Sequence, residues 1–523
     1  MGRDAGLRRL VLGTLLAAYP GPLPPDWAVE LVADGLAGHT LFGTNVHDPA
    51  RLAASTAALR AARPDVLVAI DEEGGDVTRL AHATGSPYPG NAALGVVDDT
   101  ALTRRIYAAI GAELAAVGVT VDLAPTVDVN TADDNPVIGT RAFGADPARV
   151  AAHSAAAVTG LQSVGVAACA KHFPGHGATV ADSHHELPTV DAGPALLRER
   201  DLPPFAAAVD TGVRAVMTAH IRVPALTGDG PATFSRAVLV DLLRGEYGFT
   251  GVVVTDALEM KGAAVAAGGV GPAAVRALAA GADLLCLGAR VDAVLVERVV
   301  AEIVGAIGDG RLDRGRVEQA AGRTAALAAW TRRAVPPSPA RSGTVPSGPA
   351  RSGTVPPGPD PSVPVPPGPD PSGPDPSVPV PSGIGYRAAR RAVRVEGDLT
   401  GLDRPLVVQV HAAATIAEGR VPWGLGPHLA AVEQIQVVST GADPAAVRRH
   451  AADRPIVLVG RHLHRLPGGP ALVAALAATH PVTVVEMGWP GRWRPAGVRA
   501  FVTTYGASHA NGRAAAEVLG LTG

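Results

Sequence analysis

The chain has 523 residues, with 45 basic and 48 acidic side chains and a net charge of −3, so it carries no basic field to hold nucleic acid. Aromatic residues at 3% leave few stacking platforms for bases, while 47% hydrophobic residues supply more than one core. This length exceeds one ordinary domain.

Near the start, Arg8-Arg9 precede an apolar run over 10–18 that has the look of a weak signal peptide. Pro20-Gly21-Pro22 follows, in place of a small-x-small cleavage site, so the run is expected to be the first strand of the fold. Cys169 and Cys286 each sit in an apolar run and read as buried thiols in a reducing compartment. Both readings place the protein in the cytoplasm. No stretch is apolar and long enough for a membrane span.

Strands are predicted over 10–18, 39–42, 66–71, 119–124, 166–171, 214–219, 252–256 and 283–288. Helical patterns fill most of the gaps, as over 101–117, 147–164 and 272–280. Eight near-continuous apolar strands alternating with helices imply an α/β fold of the (β/α)8 barrel type over 1–334. A doubly wound open sheet is the alternative that periodicity leaves standing. Between 335 and 383 stand 18 of the chain's 47 prolines, and the octapeptide PARSGTVP occurs twice, at 339–346 and 349–356. Proline at this density feeds neither helix nor sheet ladders, so the segment reads as an extended linker. Residues 384–523 return to α/β patterning, with strands over 405–410, 455–459, 481–485 and 500–504 and a closing helix over 509–519. This smaller domain carries few convergent polar residues and is expected to play a supporting part.

The chemistry collects at strand ends. The third strand closes on Asp71-Glu72-Glu73-Gly74-Gly75, the fourth leads to Asp122, Asp128 and Asn130, the fifth to Lys171-His172, the sixth to His220 and the seventh to Asp256. In a barrel these five ends share one rim, which is the active-site face. The densest stretch is Lys171-His172-Phe173-Pro174-Gly175-His176-Gly177, followed by Asp182-Ser183-His184-His185.

Together with Arg79, the run from Asn135 to Gly144, and Val254-Thr255-Asp256-Ala257-Leu258-Glu259-Met260, these pieces resemble glycoside hydrolase family 3. The likeness is to its β-N-acetylglucosaminidase (β-N-acetylhexosaminidase) branch, in order, over essentially the first 330 residues. The resemblance implies that Asp256 is the nucleophile of a retaining glycosidase. It makes His184, paired with Asp182, the general acid/base. Asp71, Arg79, Arg141, Lys171 and His172 would hold the sugar. The physics agrees: one carboxylate must stay ionised to attack the anomeric carbon, and one group must give and then take a proton. Histidine suits that transfer near neutral pH, and a carboxylate two residues away can fix its tautomer if the loop turns back, which Gly175 and Gly177 permit. The family usually has glutamine and arginine where this chain has Glu72 and Asp76, and Ala178 stands where aspartate or asparagine is common.

The implied substrates are terminal β-linked N-acetylglucosaminides, among them muropeptide fragments of peptidoglycan turnover. No cofactor, metal, membrane or obligate protein partner is expected. A metal site on His172, His176, Asp182, His184 and His185 is the rival for the histidine cluster, but no HExxH, CxxC or paired-histidine helix spacing supports it. Phosphate could replace water as acceptor, since a histidine acid/base does not repel an anion. A non-catalytic carbohydrate-binding protein is the third alternative; the intact Asp182, His184 and Asp256 set argues against it.

Overall fold

A computed structural model describes residues 2–334, 383–411 and 415–522. Eight short parallel strands form the first sheet: β1 (Leu15–Ala17), β2 (Gly38–Leu41), β3 (Leu67–Ile70), β4 (Val121–Asp122), β5 (Ala167–Phe173), β6 (Ala215–Thr218), β7 (Val252–Thr255) and β8 (Leu285–Cys286). Each pairs with its sequence neighbour, and β8 also pairs with β1. The bridge from Val254 to Leu284 and the bond from Thr255 N–H to the Leu284 carbonyl tie β7 to β8, which closes the barrel.

Strand side chains alternate between two environments. Leu16, Leu67, Ala69, Val121, Ala167, Cys169, Ala215, Met217, Val252, Val254 and Leu284 form the packed barrel interior. Leu15, Val68, Ile70, Ala168, Ala170, Val216, Val253 and Leu285 face the surrounding helices. Continuing the inward set by two residues along β3, β5 and β7 reaches Asp71, Lys171 and Asp256. The period of two therefore aims these three side chains into the barrel mouth. At the other end, Leu327, Ala328 and Trp330 of the helix Arg314–Ala334 pack against the interior layers. There Asp283, fully buried, pairs with Arg244, Arg316 and Arg323.

The expected first strand is corrected. Gly2–Leu12 is helical and only Leu15–Ala17 is extended. Val11 and Leu12 are buried because the helix lays them on the core, and a short apolar run reads alike as buried helix or buried strand. The proline-rich segment expected over 335–383 lies, apart from Gly383, outside the described residues.

The second sheet holds β9 (Arg394–Gly397), β10 (Leu406–His411), β11 (Gln434–Val438), β12 (Ile456–Gly460), β13 (Val482–Glu486) and β14 (Ala500–Thr503), in the order β11-β10-β12-β13-β14-β9. All neighbours are parallel except β9, which runs antiparallel to β14. Apolar clusters cover both faces, around Val408 and Leu458 on one and Val457 and Val459 on the other. Two strands escape the sequence reading, β9 and β11. Both are edge strands, β9 exposed along its length and β11 only half-buried, so they lack the continuous apolar signature of the other four.

The two sheets meet beside the barrel mouth. The helix Ile384–Ala392 packs on the helix Asn91–Val97, and Gly385 lies so close to Pro87 that a Cβ there would fall 2.0 Å from its carbonyl oxygen. Asp76 accepts from Ala507 N–H at 2.7 Å and from the Thr140 hydroxyl at 2.7 Å, and faces Arg461 at 3.4 Å. Arg461 also bonds Glu418.

Candidate active site

A cleft of about 230 Å³ opens at the C-terminal ends of the barrel strands. Asp71, Arg79, Arg141, Lys171, His172, His184 and Asp256 all line it. Asp182 stands behind His184 and does not line the cleft.

The floor is a buried charge network. Lys171 Nζ lies 2.7 Å from Asp71 Oδ1 and 2.7 Å from Glu73 Oε1. Arg141 clamps Glu73 with two bonds, Nε to Oε2 at 2.9 Å and Nη2 to Oε1 at 2.7 Å, and gives Nη1 to the Val137 carbonyl at 3.0 Å. Burial alone would raise the Glu73 carboxyl, but Arg141 and Lys171 outweigh it and hold the group well below the usual carboxylate range. For Lys171 burial works downward, and Asp71 and Glu73 overcome it, so the ammonium is held charged. Glu73 was visible in the sequence only as part of a motif. Its partners lie about 70 and 100 residues away in the chain, and only folding shows that it fixes both cations.

His172 follows Lys171 at a register irregularity in β5, between Ala170 and Phe173, where three residues on β5 span two on β6. Such a bulge re-aims side chains next to a site. The Nδ1–H of His172 donates to Asp128 Oδ2 at 2.7 Å, and Arg141 Nη2 approaches its Nε2 at 3.4 Å. Asp128 also accepts from His176 N–H at 2.7 Å. Burial pushes its carboxyl up, and the His172 charge and hydrogen bond bring it below its ordinary value. Asp128 is a second positioning group that sequence reasoning left without a role. His176 is buried, lowered by that burial to about 4, and held between Thr179 and Ser183.

The loop after β5 folds back as the glycines allow. Gly175 has φ +125°, and a Cβ on Gly177 would lie 1.9 Å from the Val129 carbonyl oxygen, so the second glycine serves close approach rather than a turn. Beyond them, Asp182 Oδ1 accepts from both the backbone N–H of His184 at 2.9 Å and its Nδ1–H at 2.7 Å. This geometry fixes the imidazole tautomer and leaves Nε2 on the cleft side. The Asp182 carboxyl is raised by burial and lowered more by its bonds to His184, ending below its ordinary value.

Asp256 ends β7, half-buried at the cleft wall, with its Oδ1 accepting from Ala257 N–H at 2.7 Å. Burial would raise its carboxyl, but His220, His172 and His184 around it bring it down to about 2. His220 Nε2 lies 3.1 Å from the Ala257 carbonyl, which can only accept, so the ring proton sits there; burial lowers the imidazole.

Arg79 borders the cleft but also donates to the carbonyls of Ala417 at 2.8 Å and Glu418 at 3.4 Å. Those residues belong to the second domain, and Ile416 and Ala417 form part of the cleft wall. The supporting part expected for that domain thus extends to direct contact with the site. The histidines of the rival metal set are dispersed among separate partners, and no group of three or more His, Cys, Asp or Glu with metal-holding geometry occurs among the described residues.

The arrangement can hold a polyhydroxylated ligand on fixed cations and carboxylates, and can place an ionised carboxylate and an oriented imidazole around it. The family description "Glycosyl hydrolase family 3 N terminal domain" matches residues 24–327. A β-hexosaminidase A of Pseudoalteromonas piscicida is 33% identical over 330 residues, 58% of this chain and 55% of that protein, so the chain spans about half the length of that relative. A β-hexosaminidase of Chromobacterium violaceum is 41% identical over 255 residues, 47% of this chain and 70% of that one. Among solved structures, a glycoside hydrolase family 3 β-N-acetylglucosaminidase from Paenibacillus sp. str. FPU-7 has a TM-score of 0.82 and 31% identity, covering 99% of this chain and 97% of its own. With the family match spanning more than half its length and the charged cleft sitting at the barrel mouth, the chain belongs to glycosyl hydrolase family 3 and is similar to the β-hexosaminidases.

Proposed function

We propose that the protein is a retaining glycosidase that releases terminal β-linked N-acetylglucosamine, with Asp256 as nucleophile and a His184–Asp182 acid/base dyad. The observation that carries this reading is the pairing of an Asp256 carboxyl held near 2 with an imidazole whose Nδ1 is tied to Asp182 across the same cleft. Asp256 Oδ2 attacks the anomeric carbon while the bond to the leaving oxygen breaks and takes the proton of His184 Nε2. Water then attacks the same carbon, gives its proton back to His184, and the sugar–Asp256 bond breaks. Asp182 holds the imidazole tautomer and stabilises the imidazolium, as a triad carboxylate does. Asp71, Lys171, Arg141, His172 and Arg79 hold the sugar in this scheme.

Muropeptide fragments are the substrates proposed from the family likeness, with action in the cytoplasm; the buried free thiols Cys169 and Cys286 are in keeping with a reducing compartment. The test is product analysis on an aryl N-acetylglucosaminide, with and without phosphate, alongside Asp256→Ala. Free N-acetylglucosamine of retained configuration is expected, independent of phosphate, and Asp256→Ala should lower kcat by at least about 10³-fold while sugar binding persists. A glycosyl phosphate product would replace hydrolysis by phosphorolysis, and near-normal turnover by the variant would remove Asp256 from the nucleophile's role.

A further inference from the structure

Consecutive side chains of an extended segment face opposite ways. In the segment 71–73, Asp71 and Glu73 line the cleft, while Glu72 lines a second cavity of about 480 Å³ on the far side of the loop. The glycosidase reading gives this cavity no role. Its walls are mainly apolar, built from Val46, Leu80, Ala81 and Val117. It reaches the surface beside Thr84 and Glu113, whose residues are exposed.

Glu72 is 3% exposed. Its Oε2 accepts three bonds, from the Thr78 hydroxyl at 2.9 Å, Arg79 N–H at 2.8 Å and Leu80 N–H at 2.9 Å. No donor among the described residues reaches Oε1, and that oxygen is not sealed off from the space Glu72 lines. Across the cavity the Tyr88 hydroxyl donates to Glu113 Oε1 at 2.6 Å, and both carboxyls bear on that phenol. No lysine or arginine is among the lining residues. A carboxylate oxygen without a donor on an otherwise buried side chain, a second carboxylate at the mouth and an apolar wall between them form a site for a cation that carries a hydrophobic body.

We propose that this cavity binds an organic ammonium ion with an apolar body, its N–H groups on Glu72 Oε1 and Glu113 and its body against Val46, Leu80 and Val117. The site does not depend on the reaction carried out in the cleft. The groups facing Glu72 are Arg79, Asp122, Tyr88 and Tyr107, with Asp71 and Glu73 on its own loop; Glu113 and His509 complete the cavity. Burial raises the Glu72 carboxyl to about 7, partly offset by its three donors, so its negative charge develops as pH rises through that value. A bound ammonium ion favours the ionised form, and affinity should climb with it.

Benzylamine, protonated below pH 8, is a suitable probe for calorimetric titration of the full chain. Saturable binding is expected, tighter by about tenfold at pH 8 than at pH 6 and about tenfold tighter than for benzyl alcohol. Glu72→Gln and Glu113→Gln should each weaken it about tenfold while leaving the far-UV circular dichroism unchanged. A saturating concentration of N-acetylglucosamine should not displace it. The proposal is overturned if benzylamine fails to saturate at millimolar concentration, if both variants bind like the parent, if benzyl alcohol binds equally, or if the sugar competes.

Discussion

Glu73 shows how a single carboxylate organises the floor of the cleft. It is enclosed by Arg141 and Lys171, with all three side chains almost wholly buried. Such a cluster adds little over an apolar replacement, but removing one charge leaves the others uncompensated, at about 3–5 kcal/mol. The Glu73 carboxyl is depressed in the folded state relative to an unfolded value of 4.5. Its contribution is therefore complete above that value and fades as pH falls toward the folded one. Glu73→Gln should destabilise the protein by about 3–5 kcal/mol at pH 7, and the gap should narrow as pH falls toward 3. Denaturant unfolding of both proteins across that range measures it. A gap that stays constant would mean the charge of Glu73 contributes nothing. None of this network is legible locally, because Glu73 follows β3, Lys171 lies in β5 and Arg141 comes from the turn Gly139–Arg141 between β4 and β5.

The element that sets the acid/base geometry is the loop between β5 and the helix Pro194–Arg200. Its anchor is backbone contact: Thr131 N–H bonds the Gly177 carbonyl at 3.1 Å, and Val129 leaves no room for a side chain at 177. Gly177→Ala must push the loop off that segment. We expect about 1–3 kcal/mol of destabilisation and a fall in kcat of about 10²-fold, since a displacement near 1 Å suffices to spoil reacting geometry. Gly193→Ala, where a Cβ would meet nothing within 4 Å, is the control and should match the parent. Equal activity of the two variants would show that the loop tolerates displacement. The sequence showed that this loop needed glycines, yet assigned both to turning; the two have separate jobs because one adopts positive φ and the other meets backbone.

Across the whole molecule, the second domain closes one side of the cleft through the segment that carries Ile416 and Ala417. Arg79 holds that segment by its carbonyls, and Arg461 joins Glu418 to Asp76 across the interface. Arg461→Met keeps the volume but leaves two buried carboxylates facing each other without a cation. The expected outcome is a KM raised about tenfold with a smaller change in kcat, as uniform binding is lost while the dyad and nucleophile are untouched. Steady-state kinetics on an aryl glycoside measures this, and an unchanged KM would show that the wall formed by Ile416 does not meet the substrate. Asp76, one of the two departures noted in that loop, finds its explanation here: an acid at 76 meets an arginine supplied by the other domain.

Periodicity left a doubly wound open sheet standing, and the bridge between β7 and β8 decided for the closed barrel; by itself the sequence determined the eight strands in order and the charged groups at their ends. Those follow from local rules: apolar runs of strand length, and a period of two that carries Asp71, Lys171 and Asp256 inward. Residues 10–12 were misread because so short an apolar run has no period to distinguish helix from strand. The tertiary structure alone decided which charges meet: Glu73 with Arg141 and Lys171, Asp128 with His172, Asp76 with Arg461, and the second domain with the cleft. The physical reason is that pairing energies depend on distance and burial in space, and neither is encoded in the spacing of residues along the chain.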